Sequence, residues 1–149
     1  MNSIKIEIPK GWQVESFDKK SGEVKFKEIP KSITERIKSW DDVLKVNNLT
    51  VDSFNESCEG LESDEIAYRQ IKLIAKTLNE GWQPDWSNND EYKYYAWFEM
   101  AGSSGFRFAV FDLWYAHSDC GSRLCFKSSK LAKYAGETFT DIYKKFMLI

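Results

Sequence analysis

The chain has one histidine, three cysteines and three prolines in 149 residues, and no apolar run approaches the roughly 18 residues needed to span a membrane as a helix. Each scarcity removes a class of chemistry. General acid–base and nucleophilic catalysis usually place a histidine beside a nucleophile. The sole histidine, His117, lies in Tyr115-Ala116-His117-Ser118-Asp119-Cys120-Gly121, read as a turn between two strands. Neighbours in an extended segment point in opposite directions, so His117, Ser118 and Asp119 form no triad, and no catalytic residue is assigned. The cysteines, Cys58, Cys120 and Cys125, are odd in number, and Met-Asn-Ser-Ile-Lys-Ile-Glu has neither the basic nor the apolar part of a secretion signal. The expectation is a cytoplasmic, soluble protein with free thiols and no membrane contact. His117-x2-Cys120-x4-Cys125, with Cys58 far away, lacks the paired knuckles of a zinc site. Gly102-Ser103-Ser104-Gly105 joins two strands with no lysine after it, so it is no phosphate loop. No metal or cofactor is expected.

Charge is nearly balanced, with 21 basic and 23 acidic residues, which gives no overall case for a polyanionic partner. Its distribution is uneven. Residues 1–50 hold ten basic and eight acidic side chains, 51–99 four and eleven, and 100–149 seven and four. The acidic middle is concentrated at Glu56, Glu59, Glu62, Asp64 and Glu65, in keeping with carboxylates at a helix start.

What the chain has in abundance is rings: six Trp, seven Tyr and ten Phe, 15% of the sequence. Aromatic side chains bury large areas and suit pleated surfaces. The fold class read from this is α+β: a mainly antiparallel, aromatic-rich sheet packed with several helices, in a single domain over 1–149.

Residues 1–30 read as strands, with Ile4, Ile6 and Ile8 alternating and a hairpin of Trp12 to Phe17 and Glu23 to Ile29 about Asp18–Gly22. Residues 32–80 read as helical. Thr50 caps a short helix through Phe54, and Ser63 caps a long one with Ala67, Ile71, Ile74 and Leu78 on its inner stripe and Gly81 as its stop. Antiparallel strands follow over 92–127. Tyr92–Met100 and Phe106–Ala116 flank the loop 101–105, and a third strand spans Ser122–Lys127. In the second run Phe106, Phe108, Val110 and Trp114 alternate with Phe111, Leu113 and Tyr115, which predicts a central strand covered on both faces. Asp112, between Phe111 and Leu113, is then expected to pair with Arg107 or Arg123, with a functional carboxylate as the alternative. Helices over 128–148 close the chain, capped by Ser128 or Ser129 and broken at Gly136.

The candidate ligand or partner surface comprises Trp82, Trp86, Tyr94, Trp97, Arg107 and Arg123. Rings of this kind serve core packing or recognition, and Trp82 and Trp86, in a proline-containing loop, are the ones expected to be exposed. A further resemblance comes from Gly81-Trp82-Gln83-Pro84-Asp85-Trp86, Tyr94-Tyr95-Ala96-Trp97-Phe98 and Gly121-Ser122-Arg123-Leu124-Cys125-Phe126-Lys127-Ser128 with Leu131-Ala132-Lys133-Tyr134-Ala135-Gly136. Over residues 30–149 the chain resembles uncharacterised proteins encoded by phages and mobile elements of gut bacteria. The resemblance implies a small accessory protein and brings no activity with it. The leading expectation is a non-catalytic interaction module with a protein partner. A single-stranded nucleic-acid binder using Trp or Tyr with Arg107, Arg123, Lys127, Lys130 and Lys133 is the alternative, and an enzyme centred on His117 and Asp119 the third. The sequence leaves the oligomeric state open.

Overall fold

A computed structural model describes residues 5–100, 105–114 and 124–148. It is mixed α and β, and it divides into two compact units, 1–32 and 33–149.

In the first unit β1 (Trp12–Phe17) pairs antiparallel with β2 (Val24–Glu28). The turn is set by Asp18, whose carboxylate accepts from the Lys20 amide at 2.7 Å and whose carbonyl accepts from Gly22 at 2.8 Å. Gly22 adopts φ 75°, a left-handed conformation that a side chain would oppose. The hairpin agrees with the alternation in the sequence. Ile6 and Ile8 do not extend it: they lie outside any strand and are about half exposed.

The second unit begins with three short helices, α1 (Ile33–Arg36), α2 (Trp40–Val46) and α3 (Val51–Glu56). Ser39 and Thr50 cap the latter two through the amides of Asp42 and Ser53. The long helix α4 (Ser63–Leu78) starts one residue earlier than the sequence suggests. Glu62 rather than Ser63 is its N-cap, and the Glu62 amide donates to the Glu65 carboxylate at 2.9 Å. Ala67, Ile71, Ile74 and Leu78 are almost wholly buried, the stripe that their spacing predicts. The left-handed exit starts at Glu80 (φ 51°) and continues at Gly81 (φ 88°).

Next come β3 (Lys93–Glu99) and β4 (Arg107–Trp114), paired antiparallel. The register shifts between Trp97 and Phe98, and this bulge corrects the expected alternation. Phe108 faces Phe98 on the inner side. Across the bulge Val110 falls opposite the exposed Trp97, while Phe111 returns inward opposite Ala96. Among the described residues β4 pairs only with β3, and its outer face carries Val110 and Asp112 in solvent, so it is not a strand covered on both sides. The expected third strand is, in its described part, a single bridge between Tyr94 and Phe126. Ser122 and Arg123 lie outside the described residues.

The helices α5 (Ser129–Thr138) and α6 (Thr140–Met147) complete the unit. Ser128 caps α5 through the Leu131 amide. α5 packs across the inner face of β3 and β4, and α4 packs against α6. Gly136 does not break the chain, as the sequence suggested: it lies inside α5, buried, where a Cβ would come within 2.2 Å of Phe108 Cδ2 and 3.1 Å of Ala96 Cβ. The glycine is there for close approach of helix to sheet. The core joins Ile37, Ile71, Ile74, Leu78, Phe98, Phe126, Ala132 and Phe139, and a satellite cluster gathers Leu44, Phe54 and Cys58 beneath Trp40.

Candidate functional site

Of the six residues singled out from the sequence, the five that are described, Trp82, Trp86, Tyr94, Trp97 and Arg107, do not converge on one surface. Trp82 and Trp86 are half-buried, contrary to their expected exposure, because the loop that carries them is organised from within. Glu91 is the hub. One carboxylate oxygen accepts from the Trp82 indole at 3.1 Å, and the other from the Asp85 amide at 2.8 Å. The Lys93 ammonium lies 3.2 Å from the same group, donates to the carbonyls of Asn88 (2.9 Å) and Glu91 (2.7 Å), and sits 5.6 Å from the centre of the Trp86 ring. Lys93 is only 1% exposed. Burial pushes the Glu91 carboxyl up, but the Asp85 amide, the Lys93 ammonium and the Trp82 indole outweigh it and hold the group below its usual value. A lysine inside an aromatic strand was not singled out in the sequence. Alternation gives no signal for it, since it sets Lys93 on the outward face with Tyr95 and Trp97; its burial comes from Trp86, Asn88 and Glu91 of the preceding loop.

Tyr94 is also half-buried, edge-on to Phe111 at 5.9 Å, and its backbone makes the bridge to Phe126. It is a packing residue. Arg107 pairs with Glu99 across the sheet, not with Asp112. Asp112 is exposed, and its carboxylate accepts from the next amide, Leu113, at 2.8 Å. The bulge is the reason: it turns Asp112 to solvent, so no buried charge needs compensation. Arg123, His117, Asp119 and Cys120 lie outside the described residues.

Of the candidate rings described, Trp97 is the exposed one, 52% accessible on the outer face of β3. Its register places Val110 opposite it, with Tyr95 opposite Asp112 and Glu99 opposite Arg107 on either side. Beside this face runs a cleft of about 360 Å³ lined by Tyr95, Ala96, Trp97, Phe98, Met100, Leu124, Tyr143, Phe146 and Met147. Met100 and Met147 at its rim are 45% and 40% exposed. Trp97, Val110, Met100 and Met147 thus form a largely uncovered apolar surface with charge at its edge.

Cys58 and Cys125 are buried, and burial pushes the Cys125 thiol up to about 11, a protonated and unreactive form at neutral pH. Among the described residues no group of three or more His, Cys, Asp or Glu side chains could hold a metal ion, and no helix is long and apolar enough to cross a membrane. No family model, no curated protein and no solved structure matches the chain.

Proposed function

We propose that the protein is a non-catalytic interaction module whose docking surface is the Trp97 face with its adjoining cleft, and whose partner is a protein. The observation that carries this reading is the clustering of exposed apolar side chains, Trp97, Met100 and Met147 at a cleft with a mainly apolar lining and Val110 opposite Trp97. Contiguous apolar surface rimmed by polar groups marks binding sites, and tryptophan is the residue most enriched among those that dominate interface energies. Methionine suits the role, since its flexible thioether adapts to the surface that it meets.

The rim favours a protein over a polyanion. Asp112 is exposed beside the rings, and Arg107 is already committed to Glu99. The partner segment would be apolar, with basic side chains facing Asp112. The accessory role in a phage or mobile element rests on the sequence resemblance alone.

The test places a photo-crosslinking amino acid at position 100 of the full chain in its host cell, identifies what is captured, and measures binding of the purified partner by calorimetry. Trp97→Ala should weaken binding by about thirtyfold, the equivalent of a 2 kcal/mol anchor. A purified partner that binds wild type and Trp97→Ala equally well contradicts the assignment.

A further inference from the structure

A second concavity lies on the same unit at the end of α4. Its volume is about 420 Å³, and it is lined by Lys72, Ala75, Lys76, Asn79, Trp82, Gln83 and Pro84. We propose that this cleft binds a planar ring carrying one phosphate, a ligand of mononucleotide size.

Lys72 and Lys76 stand four residues apart on α4 and therefore side by side on one helix face, with the small Ala75 between them. Neither ammonium is in an ion pair among the described residues, although Lys72 sits 5.5 Å from the centre of the Tyr68 ring. Glu80, two residues past the end of α4, is held at 2.5 Å by Arg36 and at 3.6 Å by Lys127. It therefore does not neutralise the two lysines. An anion is the complementary charge.

The other wall supplies the ring contact. Trp82 lines the cleft, and its indole N–H is fixed by Glu91 at 3.1 Å. A ring held in this way needs no ordering on binding, which favours stacking of a flat partner. Gln83 is exposed on the loop and offers both an amide donor and an acceptor for ring edges. Asn79 is a wall rather than a ligand, since its side chain donates to Cys125 O at 2.8 Å and accepts from the Lys127 amide at 3.0 Å. The volume is in the lower part of the range for small-molecule sites, roughly 300–1,000 Å³, enough for one ring and one phosphate. The carbonyl end of α4 lies close by, so the two ammonium groups hold the anion against the helix dipole and affinity is modest.

Indole N–H resonances of the full chain, followed by NMR during titration with 5′-AMP, adenosine and inorganic phosphate in turn, test the proposal. Trp82→Phe assigns the Trp82 signal. The expected result is a saturable shift of that signal with 5′-AMP, and at least tenfold weaker binding of adenosine and of phosphate alone. Lys72→Ala and Lys76→Ala should each weaken 5′-AMP about two- to fivefold, the range for exposed ion pairs, with an unchanged melting temperature showing that the fold is intact. No saturable shift of Trp82, phosphate alone binding as tightly as 5′-AMP, or full affinity in the Lys72→Ala/Lys76→Ala double variant would overturn it.

Discussion

Gly136→Ala is the perturbation that most sharply probes how α5 meets the sheet. In a helix interior alanine is favoured over glycine by about 1 kcal/mol, so an unpacked position would gain stability. Here the added Cβ would stand 2.2 Å from Phe108 Cδ2 and 2.6 Å from Cε2, against 3.4 Å or more in ordinary contact. The ring has little freedom to retreat, since it packs edge-on against Phe98 with centroids 5.9 Å apart. Relief requires α5 to move off the sheet or Phe108 to leave its rotamer, at an overpacking cost of about 1–3 kcal/mol. With the propensity gain set against this, the net loss is up to about 2 kcal/mol, or a fall of up to roughly 8 °C in melting temperature for a chain of this size. Urea unfolding followed by far-UV circular dichroism measures it. Phe108→Leu in the same background should recover part of the loss, giving a favourable coupling in a double-mutant cycle. An increase in stability for Gly136→Ala alone would refute the packing of α5 on β4.

Three further outcomes follow from other sites. Lys93→Met, which keeps the length of the side chain but removes its charge, strands the Asn88 and Glu91 carbonyls and the Glu91 carboxylate, and should cost about 3 kcal/mol, at the low end for a buried pair because Glu91 is 26% exposed; chemical denaturation reads the loss, and an unchanged midpoint would contradict it. The Glu91 carboxyl is held below its usual 4.5 in the folded state, so its contribution is complete above that value and is lost as pH falls through the lower folded one. Glu91→Gln should therefore flatten the fall in stability below about pH 5, measured as melting temperature against pH, whereas a parallel curve would contradict the hub role. Cys58 and Cys125 should resist alkylation at pH 8 in the native state and react only on unfolding, as peptide mapping by mass spectrometry would show; rapid native labelling of Cys125 would contradict its burial.

Much of the helical part was legible because its signals are local. The 3.6-residue stripe of α4 and the caps at Thr50 and Ser128 are written in neighbouring residues, and the structure reproduces them. The hairpin of β1 and β2 was equally local. Misreadings came where tertiary pairing overrides the period. The bulge beyond Trp97 is a property of two strands together, and nothing within Phe106–Ala116 announces it. It turned Val110 and Asp112 outward and so removed the need for an ion pair that strict alternation implied. Gly136 reads locally as a helix breaker, and only the proximity of Phe108 shows it as a contact position. The candidate site was legible in composition but not in placement. Trp97 was among the rings selected, while the expected exposure of Trp82 and Trp86 failed because Glu91 and Lys93, distant in type from the rings, gather that loop inward.

The proposed docking surface requires that a protein partner cover the Trp97 face. The most direct measurement is hydroxyl-radical footprinting of the full chain, free and in complex with the purified cross-linked partner, with oxidation quantified at Trp97, Met100 and Met147. Rapid oxidation of all three is expected in the free protein and strong protection in the complex, with Tyr92, exposed on the same unit, unchanged. Equal oxidation of Trp97, Met100 and Met147 in the two states would contradict it.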